Sequence, residues 1–455
     1  MSTTTPDASE LSNEVNARHG RPPGPVDRQG DMSDNVRLEK AMKSFVNDFG
    51  RSAAVYMESC IHCGQCAQAC HFYQASGDPR HTPIWKLEPF KQAYKREAGP
   101  FGFFYKAFGL KKSVTVAELE EWQELIYDSC TMCGRCTMAC PMGIDIATLV
   151  SQARHAMFTS GLVPQDIYDA AERGARDHSP LGAKPEVFAE RVEWLADEEE
   201  IDIPMDKQTA KVLCTMSSIE IMKYPQSIVD TAKVMNYLGL DWTFSTEGYE
   251  ATNFGMLAGN TAWQKQKSMR LIEAAIACGA ELLILPECGH AYGALRWMAP
   301  NMYGEPLPFR VVHMSEFLGE NVRNGNLKLK PFKKSVTYHD PCQVGRRGGV
   351  LQQPRDVLLA MGAELREMSS EPGMNWCCGG GGGVVALPRA DDLRRKAFQI
   401  KMNQVDDTGA EVVASACANC RLSFDDGQAF YKWDKKLHSL LEMVAENLIE
   451  KEDVA

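Results

Sequence analysis

Eight of the sixteen cysteines in this 455-residue chain fall into two matched runs. The first reads CIHCGQCAQAC, with Cys60, Cys63, Cys66 and Cys70. The second reads CTMCGRCTMACP, with Cys130, Cys133, Cys136 and Cys140, then Pro141. Both have the C-x2-C-x2-C-x3-C spacing of 4Fe–4S ligation. Three thiolates at short intervals wrap one corner of a cubane in a tight loop, and the fourth stands a turn further on and faces the other way. By that crossing rule, Cys60, Cys63, Cys66 and Cys140 hold one cubane 4Fe–4S cluster, and Cys130, Cys133, Cys136 and Cys70 hold a second. Zinc also accepts four thiolates, but structural zinc sites seldom show three closely spaced cysteines twice. His71 stands where the second run has Pro141. The first loop is therefore expected to end differently, with no ligand lost.

A second group lies near the C-terminus. Residues 375–385 read NWCCGGGGGVV, with Cys377 and Cys378 adjacent and Gly379 to Gly383 after them. Neighbouring cysteines can hardly pair with each other. A glycine run of this length costs chain entropy unless something must come close to the backbone. Cys342 precedes this stretch, and Cys417 and Cys420 follow it. His339 and Asp340 stand just before Cys342, and Arg346 and Arg347 just after it. His339 could protonate a leaving thiolate or orient a ligand from behind. The two arginines could hold a substrate thiolate or carboxylate, or form surface ion pairs.

The elements that position these residues repeat. Residues 206–330 and 331–455 read as two copies of one unit. Copy one opens with TAKVLC at Cys214, and copy two with KKSVTYHDPC at Cys342. Helix-like stretches alternate with short apolar strands, which argues an α/β unit with a parallel sheet. A doubled unit implies a pseudo-twofold domain with sites at the strand ends. Copy one has Asn253 and Phe254 at the position of the cysteine pair, and Ala291 at that of the last cysteine. It is thus a degenerate copy, and copy two the metal-competent one. Glu287 and His290 flank Cys288 in copy one, and pseudo-symmetry would point them into a shared crevice. Cys214 reads as a packing residue or as a thiol that meets the substrate. Cys278, within LIEAAIAC, reads as helix core.

The first half is expected to be helical. VAELEEWQELIYDSC has helical periodicity with an acidic start, and 59 residues separate Cys70 from Cys130. The module resembles the α-helical ferredoxin of succinate dehydrogenase-type iron–sulfur subunits. The expected boundaries are a disordered tail 1–36, the ferredoxin 37–160, a linker 161–205 and the two repeats. Within the ferredoxin, GPFGFFYKAFGLKKS, residues 99–113, crowds Phe101, Phe103, Phe104, Tyr105, Phe108 and Leu110 beside Lys106, Lys111 and Lys112. This is either a core helix over the clusters or a segment for peripheral contact with a membrane or a hydrophobic partner.

The pattern of copy two, a cysteine, a gap, CCG, a gap and CxxC, resembles the CCG domain of heterodisulfide reductases. That resemblance implies a noncubane 4Fe–4S cluster on Cys342, Cys377, Cys378, Cys417 and Cys420. It also gives the glycines a use: Gly379 and Gly380 would admit a bulky inorganic core. CIHCGQCAQACHFY, SGDPRHTP and PECGHAYGALRW, with the paired cubane motifs, further resemble the DsrK-type electron-transfer proteins of this superfamily. The resemblance implies an oxidoreductase subunit of dissimilatory sulfur metabolism, acting on the disulfide or trisulfide of a DsrC-like sulfur-carrier protein. It implies a quinone-interacting, cytochrome b-type membrane partner, and a cytoplasmic place against the inner membrane held through partner subunits. Electrons could flow either way. Two related alternatives are a heterodisulfide-reductase-like subunit of a sulfur-oxidising system and the iron–sulfur subunit of a glycolate- or lactate-oxidising complex. A pure electron relay is the alternative from another class.

Composition agrees with this frame. A net charge of −11 argues against nucleic acid as a partner. No run of 18 apolar residues occurs. The polar N-terminus has neither an apolar signal region nor an arginine pair, so the compartment is expected to be reducing and the cysteines to bind metal rather than form disulfides.

Overall fold

The computed structural model describes residues 26–449 except 98, 100, 111, 112 and 371. Residues 1–25 of the expected tail, together with Lys111 and Lys112, lie outside the described residues.

The first half is helical. A long helix, Asp34–Ser59, packs along the helix Ile146–Thr159. The expected tail ran to residue 36, but the chain is already held well before that. Gln29 donates to the Val163 carbonyl at 2.8 Å, and Arg37 donates to the carbonyls of Gln29 and Ser160. The predicted helix near residue 116 spans Val116–Gln123 and starts on a reciprocal cap between Thr115 and Glu118. It continues through a wider turn, Glu124–Asp128, that delivers the chain to Cys130.

The expected linker, residues 161–205, instead carries two helices, Gln165–Arg176 and Pro185–Glu198. Its charge hides an apolar stripe. Phe188, Val192 and Leu195 recur at helical spacing and enter the core of the second half. Ile167 and Ala171 enter that of the first. The segment joins two cores rather than spacing them apart.

The second half contains two four-stranded parallel sheets. The first holds β1 (Val212–Cys214), β2 (Trp242–Thr243), β3 (Leu282–Leu285) and β4 (Arg310–His313), in the order β2-β1-β3-β4. The second holds β5 (Ser335–Tyr338), β6 (Glu364–Leu365), β7 (Val412–Ser415) and β8 (Leu437–Ser439), in the matching order β6-β5-β7-β8. Central strands covered by helices on both faces must be apolar throughout, as VVAS and LLIL nearly are. Helices pack reciprocally between the sheets. The helix after β4, Met314–Arg323, lies on the helix after β5, Gln352–Ala360, and Gln226–Tyr237, between β1 and β2, lies on Leu440–Glu446, after β8. One apolar core runs through both sheets, from Val212 and Ile284 to Val336 and Val412.

Candidate functional site

The two cysteine loops of the first half have the same backbone. His62 and Met132 sit at matching positions with φ of 54° and 52°, and Gly64 and Gly134 follow at 78° and 74°. Left-handed non-glycine residues are costly, and a tight loop around a bulky ligand is where they persist. Each loop feeds a one-turn helix, Gln65–Gln68 or Arg135–Met138, which aims the fourth cysteine across the module.

The result is two separate cavities. One is lined by Cys60, Cys63, Cys66 and Cys140, and Cys63 is exposed. The other is lined by Cys70, Cys130, Cys133 and Cys136. We call them the outer and inner cradles. Burial pushes the Cys136 thiol well above its ordinary value, and the nearby Cys133, Cys70 and Cys130 push it further. Packed, unpaired thiols of this kind suit a polycation that removes their protons. Lys86, buried and beside Cys70, donates to the Ser129 carbonyl and places a cation at the inner cradle.

The five C-terminal cysteines also converge. Cys378 Sγ lies 3.3 Å from Cys420 Sγ. Cys342 neighbours Cys377, and Cys417 neighbours Cys420, closely enough for each thiol to shift the other's protonation. The contact with Cys420 pulls Cys417 down to about 7, aided by the backbone amides at the start of the helix Ala418–Tyr431. Cys377 and Cys378 are also lowered, by contacts with their neighbouring thiols, whereas Cys342 and Cys420 are raised well above the usual thiol range. The nest touches the inner cradle. Cys133 Sγ lies within 4.8 Å of Cys377 Sγ, and Thr131 Oγ1 lies 3.4 Å from the same sulfur.

The donor set fits iron–sulfur clusters. All sixteen cysteines are free thiols, and thirteen of them line these three places. Two buried histidines face the same places with neither ring nitrogen hydrogen-bonded, His71 and His339. His71 groups with Cys133 and Cys377, and His339 with Cys378 and Cys420, the ligand atoms of each group lying within 4.8 Å of one another.

The glycine run meets protein as well as the nest. A Cβ on Gly382 would lie 2.8 Å from the Cys130 carbonyl oxygen, and one on Gly380 would lie 2.1 Å from Ser423 Oγ. Gly379, Gly382 and Gly383 have φ of 86°, 65° and 86°. Gly381 and Gly382 are bare where the inner cysteine loop lies on them, and Gly380 where Ser423 does. Arg154, fully buried, locks the contact by donating to the carbonyls of Gly382, Cys130, Ile126 and Leu257.

Other sequence candidates are engaged elsewhere. Asp340 makes a bidentate pair with Arg355, both bonds at 2.9 Å. Arg346 donates to the carbonyls of Cys133, Gly373 and Asn375, so it staples loops rather than facing a substrate. Glu287 faces the seam between the two sheets, where its carboxylate accepts from the Leu441 amide at 3.1 Å; burial, then the neighbouring Glu220, push it up to about 8. The matching place in the first sheet has gone over to backbone capping. Asn253 bonds the Gln264 carbonyl and caps the helix Phe254–Ala258. Cys214 is buried in the shared core.

His290 does stand at an opening. A cleft of about 430 Å³ lies between the helix Ile146–Thr159 and the first repeat. Met132, His290, Trp297, Gln343 and Arg347 line it. His290 Nε2 accepts from the Gly382 amide at 3.3 Å, and burial pulls this imidazole down to about 4, so it is neutral.

Two buried residues at the site escaped the sequence reading. Lys401 is buried under the nest, bonded to Asn375 Oδ1 at 2.9 Å, and burial pulls it down to about 7. Its signal was present: Ala397, Lys401, Gln404 and Val405 share one helical face. Arg154 had no such signal, because its four carbonyls come from three distant segments. Phe101, Phe103, Phe104, Phe108 and Leu110 are not core, since Phe103 is 77% exposed and Phe108 70%.

Two family models match the chain. A 4Fe-4S dicluster domain covers residues 56–144, and the cysteine-rich CCG domain covers residues 336–425. The chain is 30% identical over 404 residues to a dihydromethanophenazine:CoB–CoM heterodisulfide reductase subunit of Methanosarcina acetivorans, covering 86% of this chain and 94% of that one. It is 26% identical to the Hdr-like menaquinol oxidoreductase iron-sulfur subunit 2 of Archaeoglobus fulgidus, over 90% of this chain and 82% of that one. It is 27% identical to the EtfAB:quinone oxidoreductase of Syntrophomonas wolfei, over 84% of this chain and 56% of that longer one.

Proposed function

This chain belongs to the heterodisulfide reductase-like superfamily of CCG-domain iron–sulfur oxidoreductase subunits, and from that premise we propose that it carries electrons between a quinone-linked membrane partner and an S–S bond on a sulfur-carrier protein. The observation that carries the reading is continuity. Thirteen cysteines form an outer cradle, an inner cradle and a nest, and Cys133 joins the last two through Cys377. The two cradles are read as cubane sites and the nest as the noncubane site of a metal-competent repeat. The same strand order in both sheets supports reading the second half as one duplicated unit. Bound there, such clusters supply one-electron transfer.

The chain's own residues divide the remaining work. Reducing an S–S bond takes two electrons and two protons and yields two thiols; a quinol supplies both pairs as it becomes a quinone, and the opposite flow reverses every term. His339 holds a ring N–H in reach of the Cys378 and Cys420 sulfurs. Lys401 sets a buried donor under the nest. Cys342, less buried than the other four, marks the side that a substrate sulfur can approach. The cleft beside His290 and Gln343 gives a carrier's flexible cysteine-bearing arm, as on DsrC, a place to lie, with Arg347 at its rim. Gly379 and Gly380, expected to admit the inorganic core, are packed instead against Arg394 and Ser423.

Among the described residues no helix is long and apolar enough to cross a membrane. The partner is read as the membrane subunit, of cytochrome b type, with this chain held on the cytoplasmic side of the inner membrane; the menaquinol oxidoreductase subunit among its relatives supports the quinone link. Phe101, Phe103, Phe104, Phe108 and Leu110, all exposed, form the surface we assign to it. The test is iron and sulfide analysis with electron paramagnetic resonance of the anaerobic protein, before and after a thiol carrier protein is added. About twelve irons and a new thiol-dependent paramagnetic signal are expected. A relay without sulfur chemistry would give the iron and no new signal.

A further inference from the structure

We propose that His71 is a hydrogen-bond donor set between the inner cradle and the five-cysteine nest, where it raises the reduction potential of both centres. The proposal rests on reading both places as iron–sulfur sites. His71 is 2% exposed, and neither ring nitrogen has a hydrogen-bond partner. A neutral imidazole always carries one N–H, and leaving it unpaired in a packed interior is unfavourable. A ring nitrogen, Cys133 Sγ and Cys377 Sγ all lie within 4.8 Å of one another. These two sulfurs belong to different centres. The acceptor that completes this histidine is therefore sulfur at their junction.

The comparison within the chain sharpens the point. The matching residue in the second loop is Pro141, which is exposed. Backbone geometry does not require a histidine at position 71. It opens the helix His71–Ser76, where proline is well tolerated. Cys70 before it has φ −91° and ψ 115°, the extended conformation that proline imposes on its predecessor. Either residue suits the turn, so the imidazole is explained by what it faces. A donor to cluster sulfur stabilises the reduced, more negative form and so raises the potential. One donor at a shared junction acts on both neighbours.

The experiment compares wild type with His71→Pro, His71→Leu and His71→Gln in the full chain, isolated anaerobically with clusters in place. Iron is counted first, and each centre is then titrated by potentiometric electron paramagnetic resonance. We expect unchanged iron in all four proteins. Two centres shift to lower potential in the proline and leucine variants, and glutamine, which keeps an N–H, restores part of the shift. The outer centre, whose cradle lacks His71, stays fixed as the internal reference. Unchanged potentials at full iron overturn the proposal. Loss of one cluster from both the leucine and glutamine variants also overturns it, because His71 would then be a ligand. Wild type with iron for only two cubanes would fail the reading of the nest, and the shift of the inner centre would still be read.

Discussion

At the scale of single residues, what matters is which thiols face one another. Cys342 and Cys214 end equivalent strand regions of the two repeats, yet Cys342 meets Cys377 and Cys214 is packed among apolar side chains. Cys342→Ser is expected to lower the iron content by about four per chain, whereas Cys214→Ser leaves it unchanged, as read by iron analysis of matched preparations. Gly382 is the second case. Alanine there would need a left-handed conformation and would press a methyl group on the Cys130 carbonyl. Gly382→Ala should cost roughly 1–3 kcal/mol in chemical denaturation, and it should lift the inner cysteine loop from the nest.

At the scale of elements, ligand spacing was legible because a cluster of fixed size writes its geometry into short intervals of chain. The two cradles follow from it; the nest, whose cysteines lie far apart in sequence, was expected from the resemblance to the CCG domain. Contacts made between distant segments were not legible. Asp340 stood among the candidates beside Cys342, but Arg355, fifteen residues on, takes both of its oxygens. Glu287 looked like a pocket residue, but the helix after β8 comes to meet it. The segment 161–205 looked like a linker because its charges outnumber the apolar stripe that Phe188, Val192 and Leu195 form. Helix pairing also sets a pH dependence. Asp230, on the helix Gln226–Tyr237, packs toward Leu440–Glu446. Burial, then the charges of Glu442 and Glu446, push its carboxyl up to about 7, against the opposing effects of Lys233 and Arg421. Between about pH 4, the unfolded value, and pH 7 the folded chain keeps a proton that the unfolded chain releases. Stability is therefore whole below that window and is lost as pH rises through it. Asp230→Asn should gain about 2–4 kcal/mol at pH 8 and little at pH 4, measured by denaturant titration at both pH values.

At the scale of the whole molecule, the apolar helix Gly102–Ala107 stands out from an otherwise anionic protein. Phe104 and Phe108 stack with centroids 6.4 Å apart, and both are exposed. Phe103→Ser with Phe108→Ser should leave the iron content and thermal stability as they are. It should weaken binding to vesicles carrying the membrane partner at least tenfold, about 1.4 kcal/mol, in a flotation assay. Unchanged flotation would remove this helix from the contact.

The seal that Arg154 and the glycine run make over the inner cysteine loop also governs how the protein is built and repaired. On the reading of the inner cradle as a cluster site, a centre beneath that cover would be inserted before the two halves close on each other. The outer site, with Cys63 at the surface, remains open to replacement in the finished molecule.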